Sequence, residues 1–209
     1  MSSRRYDSSR RQEGAARTRQ QILDAGRALF MERGYAATTM GEVSARAKVA
    51  PATANAAFGG KAGLLKRLVD VGIAGDDEDI PVSERDAALQ ISAEPDPRRQ
   101  CAMMAELVTE IHQRLAPLDD VLQQASGVDE QVREEVARSR NGRRQGMQEF
   151  VDSIDPAALR PDLNRDRAAD IVWALTEPRL FMGLVHERGW SPADFSAWLS
   201  GQLTAALLR

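Results

Sequence analysis

The chain has 209 residues, of which 43% are hydrophobic and 28% are charged. This length suits one compact domain with a smaller second one, and the composition is ordinary for a soluble globular protein. No stretch approaches the roughly 18 apolar residues that a membrane span needs, and no apolar segment follows the arginines at the start, so we expect neither a membrane partner nor a secretory signal. Cys101 is the single cysteine, which excludes an internal disulfide and favours a cytoplasmic location.

Charge is divided unequally along the chain. The formal net charge is −3, yet residues 1–70 carry 13 Lys and Arg against 6 Asp and Glu, while residues 71–209 carry 15 against 25. A basic part that faces phosphates and an acidic part that faces water would have this distribution, so the N-terminal part is a candidate for binding nucleic acid. The alternative is a solvated basic tail beside an acidic domain.

Helical periodicity dominates the sequence. Apolar residues recur at helical spacing and no stretch alternates with a period of two, which predicts an all-α fold. Residues 1–15 are predicted to form a disordered basic tail. The first helix is predicted from about Arg17 to Arg33, where Gly34 supplies the left-handed residue that ends it.

Two short helices are predicted next, with a tight turn between them. Thr39 and Glu42 have the spacing of a capping box, in which each side chain bonds a backbone N–H of the other, and this second helix is predicted to end near Ala47. After a turn at residues 48–50, Pro51 suits the first position of a third helix that runs to Phe58. These proportions are typical of a helix-turn-helix, whose second helix enters the major groove of DNA.

A fourth helix and an acidic linker, residues 75–83, follow this unit. The sequence thus predicts an N-terminal domain at residues 16–74 and a larger one at residues 75–209. In the larger domain Ser83 and Asp86 are predicted to cap a helix, and further helices are expected at about residues 98–115, 118–125 and 129–154.

The last two predicted helices are apolar on more than one side. One runs from the cap Asn164 to about Glu187, with a kink at Pro178 that frees carbonyl groups near Ala174, and the other follows a Ser191 cap. Such helices need more than one partner, so we expect them to pair with a second copy in a homodimer; the alternative is that both are central core helices. The predicted interface residues are Leu180, Leu184, Phe195, Trp198, Leu199 and Leu203.

The segment TRQQILDAGRALFMERGYAATTMGEVSARAKVAPATANAAFGGKAGLL, residues 18–65, resembles the N-terminal domain of the TetR family of bacterial transcriptional repressors. The resemblance implies an all-helical dimer. Residues 16–74 would be the DNA-binding domain, and residues 75–209 would bind a small-molecule effector and pair the two copies through the last two helices. It also implies a palindromic operator in double-stranded DNA, from which the repressor is released by ligand.

The third helix departs from the family pattern in being rich in alanine. Ala50 replaces the usual capping serine, and Asn55 replaces the tyrosine that contacts phosphate in the family. We therefore expect base reading by Thr53 and Asn55, with methyl contacts from neighbouring apolar residues and phosphate contacts from surrounding polar and basic ones. The predicted DNA-binding residues are Thr38, Thr39, Arg46, Lys48, Pro51, Ala52, Thr53, Asn55, Ala56 and Lys61. The alternative is a dimer of this fold that binds a ligand or protein partner and no longer reads a DNA sequence.

The chain offers little material for catalysis. Cys101 and His112 are too far apart on one helix for direct contact, and His186 has no partner at metal-ligand spacing, so we expect no enzyme activity, no metal and no cofactor. Methionine and aromatic residues of the larger domain are instead candidates for lining an effector pocket, with His112 as a polar anchor, although such residues are more often core. The predicted ligand-binding residues are Met103, Met104, Leu107, His112, Met147, Phe150, Trp173 and Phe181.

Overall fold

The computed structural model describes the backbone of residues 3–209 and the side chains of residues 13–209. Over these residues it is all-α, as predicted, and its only extended pairing is an isolated antiparallel bridge between Leu159 and Leu208. The α-helices are α1 Ser3–Arg33, α2 Met40–Ala47, α3 Pro51–Phe58, α4 Lys61–Ala74, α5 Asp86–Ala93, α6 Pro97–Leu115, α7 Asp119–Val128, α8 Glu130–Ser153, α9 Arg165–Leu175, α10 Pro178–Phe181 and α11 Pro192–Leu207. Short 3₁₀ turns lie at Val82–Glu84 and Ala116–Leu118, and a π-helix at Met182–Glu187.

The chain folds as two compact units. The first comprises the described residues up to Val71 together with Pro117–Val136, and the second comprises Gly72–Ala116 and Ala137–Arg209. The first unit therefore takes in residues 117–136, which lie beyond the predicted N-terminal domain. The functional division at residues 74 and 75 stays a prediction.

The first unit has its own apolar core, to which α1 contributes Ile22, Leu29 and Phe30. As predicted, α1 ends at Gly34, whose φ of +76° is a conformation that side chains disfavour. It begins at Ser3, whereas the sequence predicted a first helix from about Arg17; the disorder predicted for residues 1–15 stays a prediction. The early start of the helix agrees with composition: residues 3–15 have no proline, and their arginines, Gln12 and Ala15 favour a helix.

The core of the second unit lies between α6, α9 and α11. Small residues on α9, such as Ala168 and Ala169, are fully buried, which lets the helices approach closely. Phe181 packs edge-on against Phe195, with the ring centroids 5.1 Å apart. The remaining buried side chains of this core include Cys101, Ala105, Val108, Val172, Leu199, Leu203 and Leu207.

The prediction of one long helix up to Glu187 is wrong, because the helix ends before Pro178 and is not merely kinked there. Helix α9 ends at Leu175, and Glu177 is extended, as expected for a residue before proline. The Ala174 carbonyl group is not freed, since it accepts a bond from the Glu177 N–H at 3.3 Å. The break instead leaves the carbonyl groups of Trp173 and Thr176 to be bonded by side chains from other helices.

Ser83 is also placed differently from the prediction. It lies in a 3₁₀ turn, and α5 begins at Asp86 after an Arg85 whose side chain makes no capping bond. Sequence spacing alone did not distinguish this turn from a capped helix. No helix within the described residues is both long and apolar enough to cross a bilayer.

Candidate nucleic-acid interface

The turn between α2 and α3 is built by local bonds. Thr39 caps α2, with the Glu42 N–H donating to its hydroxyl at 3.2 Å and its own N–H donating to the Glu42 carboxylate at 2.9 Å, so the predicted capping box is confirmed. Lys48 then adopts a left-handed φ of 57°, the only such non-glycine residue among those described, at a cost of about 1–2 kcal/mol. Bonds from the N–H groups of Lys48 and Val49 to carbonyl groups of α2 offset this strain.

Helix α3 has one buried and one exposed side. Ala54 and Phe58 are buried in the first unit, and Pro51 occupies the first helical position, as predicted. Ala50 makes no side-chain cap. The exposed residues, which we call the α3 face, are those predicted to read bases: Pro51, Ala52, Thr53, Asn55 and Ala56. The Asn55 amide donates one bond back to the Pro51 carbonyl oxygen at 3.1 Å.

Arg19 anchors the far end of α3, a role that sequence reasoning missed. Its guanidinium donates to the Ala57 carbonyl oxygen at 3.2 Å and lies 4.6 Å from the centroid of the Phe58 ring. The interaction joins residues 38 positions apart, so no local pattern could have indicated it. Arg19 thereby satisfies a carbonyl group in the last turn of the helix that presents the α3 face.

Lys61 is held inside the first unit. Its ammonium donates to the Tyr35 carbonyl oxygen at 2.9 Å and lies 4.2 Å from the centroid of the Tyr35 ring. The Tyr35 hydroxyl donates to the Asp129 carboxylate at 2.6 Å, and Asp129 also accepts from N–H groups at the start of α8. The contacts of Lys61 are thus structural, and the predicted phosphate contact would have to share its ammonium with Tyr35.

The Tyr35 and Asp129 pair alters the acidity of both groups. Burial, followed by the bond to Asp129, raises the pKa of Tyr35 well above its ordinary value. The bond from the Tyr35 hydroxyl lowers the pKa of Asp129. At neutral pH the pair is therefore a phenol donating to a carboxylate, a charge-assisted bond that holds the end of α1 to the start of α8.

Two further predicted DNA contacts are engaged within the protein. Thr38 has no exposed surface, and its hydroxyl lies 2.9 Å from the Gly34 carbonyl oxygen and 3.3 Å from that of Leu29, so it is not available to a phosphate. Arg46 is exposed, but both ends of its guanidinium bond the Glu32 carboxylate, at 2.6 and 2.7 Å. Glu32 raises the pKa of Arg46, and DNA would have to compete with it.

Most of the predicted effector residues lie in or pack against the core of the second unit, whereas Trp173 lies against Arg143. Met104, His112, Phe150 and Phe181 are buried. The other four are partly buried: Met103, Leu107, Met147 and Trp173. The structure thus brings the methionines and phenylalanines of this set together in the core, an arrangement that agrees equally with simple packing and with a ligand site.

The predicted dimer residues divide into two groups. Leu180, Leu184 and Trp198 are partly exposed in the single chain. Phe195, Leu199 and Leu203 have no exposed surface and pack inside their own chain, so they do not lie on a surface that a second copy could cover. The apolar character of α11 therefore reflects, for these three residues, a central position in the core.

A polar cluster surrounds the break between α9 and α10, and we call it the Thr176 cluster. Arg143 from α8 donates to the Trp173 carbonyl oxygen at 2.7 Å, to the Thr176 hydroxyl at 3.1 Å and to the Glu177 carboxylate at 2.6 Å. His112 from α6 has its Nε2 atom 3.1 Å from the Thr176 carbonyl oxygen. Two side chains from other helices thus satisfy the carbonyl groups that Pro178 sets free.

The protonation state of His112 follows from this geometry. A carbonyl oxygen only accepts hydrogen bonds, so Nε2 carries the proton and Nδ1 presents a lone pair. Burial lowers the pKa of His112 to about 4, opposed by the Thr176 bond and assisted by the nearby Arg143 charge. The ring is therefore neutral at physiological pH.

The buried neutral His112 should make stability depend on pH. Its pKa is lower in the folded chain than the unfolded value of 6.5, so the unfolded state binds more protons between about pH 6.5 and pH 4. The histidine therefore contributes stability that is present above pH 6.5 and is lost as the pH falls through 4. We expect wild type to lose up to about 3 kcal/mol more than His112→Leu when the pH falls from about 7 to 4.

Urea unfolding at a series of pH values measures this difference. His186→Leu is the matched control, because it makes the same replacement at an exposed histidine. Parallel profiles for wild type and His112→Leu would contradict a neutral buried imidazole.

The α3 face, the capped helix before it and the basic N-terminal charge define a DNA-binding protein of the helix-turn-helix class. Residues 22–68 match the model for bacterial regulatory proteins of the tetR family. This match and the fold shared with solved TetR-family structures support membership of the TetR family of DNA-binding transcriptional regulators, as the sequence indicated. Regulators of this family are in general not enzymes, and no group of three His, Cys, Asp or Glu within the described residues is placed to hold a metal ion.

Solved structures share this fold. The chain is similar to NalD, the secondary repressor of the MexAB-OprM multidrug efflux pump in Pseudomonas aeruginosa, at 20% identity with a TM-score of 0.65, covering 94% of this chain and 98% of NalD. It is also similar to SmeT in its triclosan complex, at 21% identity with a TM-score of 0.66, covering 92% of each chain. SmeT is the repressor of the Stenotrophomonas maltophilia multidrug efflux pump SmeDEF. A search of curated protein sequences finds no significant match.

Proposed function

We propose that the protein is a transcriptional repressor that binds a palindromic operator as a homodimer and is released by a small, largely apolar ligand. The α3 face carries the proposal, because five exposed residues on one short helix serve no packing role in their own unit. NalD and SmeT, which share the fold, are repressors, and this supports repression rather than activation.

Recognition on such a face depends on few polar groups. Thr53 and the free part of the Asn55 amide are available for hydrogen bonds to base edges, while Pro51, Ala52 and Ala56 suit the methyl group of thymine. Phosphates would bind at the N-terminus of α2 beside Thr39, and at Lys48. Since most affinity would then come from the DNA backbone, binding should weaken steeply as salt rises.

A second copy would pair through the apolar residues that stay partly exposed. Leu180 and Leu184 follow the α9 break, and Trp198 on α11 is half-buried. Association would bury these side chains and place two α3 faces about 34–36 Å apart, the spacing of successive major grooves on one side of DNA. A ligand that favours another spacing would lower DNA affinity without touching α3.

The ligand would occupy the methionine-rich and aromatic core around the Thr176 cluster. SmeT has been solved with triclosan, and a protein of the same fold from Saccharomonospora viridis with choline, at 16% identity and a TM-score of 0.65 over 91% of this chain and 97% of that chain. These complexes support a small molecule as effector. Methionine side chains such as Met104 and Met147 adapt readily to an inserted molecule.

Selection from random double-stranded DNA tests the proposal. We expect a palindrome to be enriched, and Thr53→Ala to reduce discrimination at one base pair of each half-site by about 5- to 150-fold, corresponding to about 1–3 kcal/mol. Ser139→Ala, on an exposed part of α8, is the control and should change neither affinity nor preference. Titrations at several salt concentrations measure the backbone contribution. Enrichment of a non-palindromic site would contradict the paired arrangement.

A second candidate function is a dimer that binds a ligand or protein and has no sequence preference on DNA. The observation in its favour is the scarcity of polar groups, since Thr53 and Asn55 are the only polar side chains on the α3 face, and Arg46 is held by Glu32. A selection that enriches no sequence, with equal binding to all duplexes, would favour this candidate over a repressor.

A further inference from the structure

Two polar ring atoms in the second unit are buried without a partner. His112 is only 5% exposed, and among the described residues neither its Nδ1 atom nor the Nε1 atom of Trp173 has a hydrogen-bond partner. Leaving such an atom unpaired costs about 1–3 kcal/mol, and native proteins rarely tolerate it. Both rings border the Thr176 cluster, because His112 bonds the Thr176 carbonyl group and Arg143 lies against Trp173 and bonds Thr176.

Whether each atom is a hydrogen-bond donor or acceptor determines which group could bond to it. Nε2 of His112 donates to Thr176, so Nδ1 needs a donor, whereas an indole N–H only donates and so Trp173 needs an acceptor. Arg143 already donates to the Trp173 carbonyl group, the Thr176 hydroxyl and the Glu177 carboxylate. The Thr176 hydroxyl donates to the Val172 carbonyl oxygen at 2.8 Å.

Charge in the cluster restricts the ligand further. The Arg143 guanidinium disfavours a cation, and it is already neutralised by the Glu177 carboxylate at 2.6 Å, which disfavours an anion. An anion would also meet the lone pair of His112 Nδ1. The Arg140 guanidinium, 5.7 Å from the centroid of the Trp173 ring, disfavours a cation as well, while the Phe181 ring centroid lies 5.6 Å from that of His112.

We propose, on the basis of the function proposed above, that the effector is an uncharged molecule with a hydroxyl group on an apolar aromatic body. The hydroxyl donates to His112 Nδ1 and accepts from Trp173 Nε1, and the aromatic body packs among Phe181 and the methionines. A hydroxyl is both donor and acceptor, so one such group has both of the hydrogen-bonding capacities that these atoms require.

Calorimetric titration of the full-length protein with matched probes tests this assignment. The probes are 4-tert-butylphenol, its methyl ether 4-tert-butylanisole, the carboxylate 4-tert-butylbenzoate and the cation 4-tert-butylbenzylammonium. We expect the phenol to bind at least about tenfold more tightly than the ether, since the ether cannot donate to Nδ1, and more tightly than either charged probe. Equal binding of phenol and ether, tighter binding of a charged probe, or no binding of the phenol up to its solubility limit would overturn the proposal.

Two variants test whether His112 and Trp173 cause the preference for the phenol over the ether. His112→Leu replaces the imidazole with an apolar side chain of similar reach and so removes Nδ1. We expect it to reduce the preference for phenol over ether to about twofold or less. Trp173→Phe keeps the ring and removes the N–H, and should weaken phenol binding severalfold with a smaller effect on the ether. His186→Leu, which makes the same replacement at an exposed histidine, is the control and should keep the full preference. A preference unchanged in both His112→Leu and Trp173→Phe would place the hydroxyl elsewhere and overturn the assignment.

Release of DNA is measured separately, with the duplex enriched by selection. Phenol binding that depends on His112 but leaves DNA affinity unchanged would refute the proposed release mechanism and keep the ligand assignment. Release by a molecule without a hydroxyl, together with equal binding of phenol and ether, would refute the ligand assignment and keep the proposed release.

Discussion

Ala52→Glu is expected to abolish sequence-specific DNA binding while leaving the protein at least as stable as wild type. Ala52 is the exposed second residue of α3, whose first turn contains no acidic residue. A carboxylate there interacts favourably with the helix dipole and should add about 0.3–1 kcal/mol of stability. In a complex the same carboxylate would face phosphates and base edges, where like charges cost several kcal/mol, so we expect affinity to fall at least about a hundredfold.

Fluorescence anisotropy with the selected duplex and urea unfolding measure the two effects. Ala137→Glu introduces the same side chain at an exposed alanine of α8 and should leave DNA affinity within about twofold of wild type. Affinity that falls equally in both variants would point to general repulsion from net charge. Unchanged affinity in Ala52→Glu would show that the α3 face does not enter the DNA groove.

Local chemistry explains which parts of the fold were predictable. The bounds of α2 and α3 follow from groups within a few residues: the bonds between Thr39 and Glu42, and the fixed φ of Pro51 at the first helical position. Gly34 ended α1 for a reason that is equally local, its positive φ. Where one or two nearby residues decide the backbone, the sequence was a sufficient guide.

Roles that depend on distant partners were not predictable in the same way. Lys61 bonds a carbonyl group 26 positions away, and Arg46 a carboxylate 14 positions away. Their place in a basic segment indicated phosphate contacts, but the charge of a side chain does not tell which way it points. Thr38 and Thr39 were both assigned to the interface, although Thr38 is buried and Thr39 is exposed.

Periodicity also failed to separate a core helix from an interface helix. Phe195, Leu199 and Leu203 recur at helical spacing, and that pattern is the same whether the covering surface belongs to the same chain or to another. Pro178 was recognised as a disruption, but its consequence depended on His112 and Arg143, which bond the freed carbonyl groups from other helices. Their bonds stabilise a complete break where the sequence alone predicted a kink.

Gly63→Ala is expected to be among the most destabilising single substitutions in the first unit. Gly63 is the third residue of α4, and a Cβ atom there would lie 1.8 Å from the Phe58 carbonyl oxygen. That neighbour is backbone, so the turn at Gly59 and Gly60 must move. Both turn residues have positive φ, 69° and 116°, which leaves little freedom to relax. We expect a loss of at least about 2 kcal/mol in unfolding free energy.

Gly41→Ala is a matched control, because Gly41 also lies in the first turn of a helix, α2, and its added Cβ would approach nothing closer than the Thr39 hydroxyl at 3.8 Å. Here alanine should stabilise the protein by about 0.5–1 kcal/mol, since it reduces the freedom of the unfolded chain. Urea unfolding of both variants should therefore give changes in unfolding free energy of opposite sign.

Because the Phe58 carbonyl group ends α3, the backbone movement in Gly63→Ala should also displace the α3 face and weaken DNA binding beyond what lost stability explains. Changes in unfolding free energy of the same sign for Gly63→Ala and Gly41→Ala would mean that Gly63 does not approach the Phe58 carbonyl oxygen this closely.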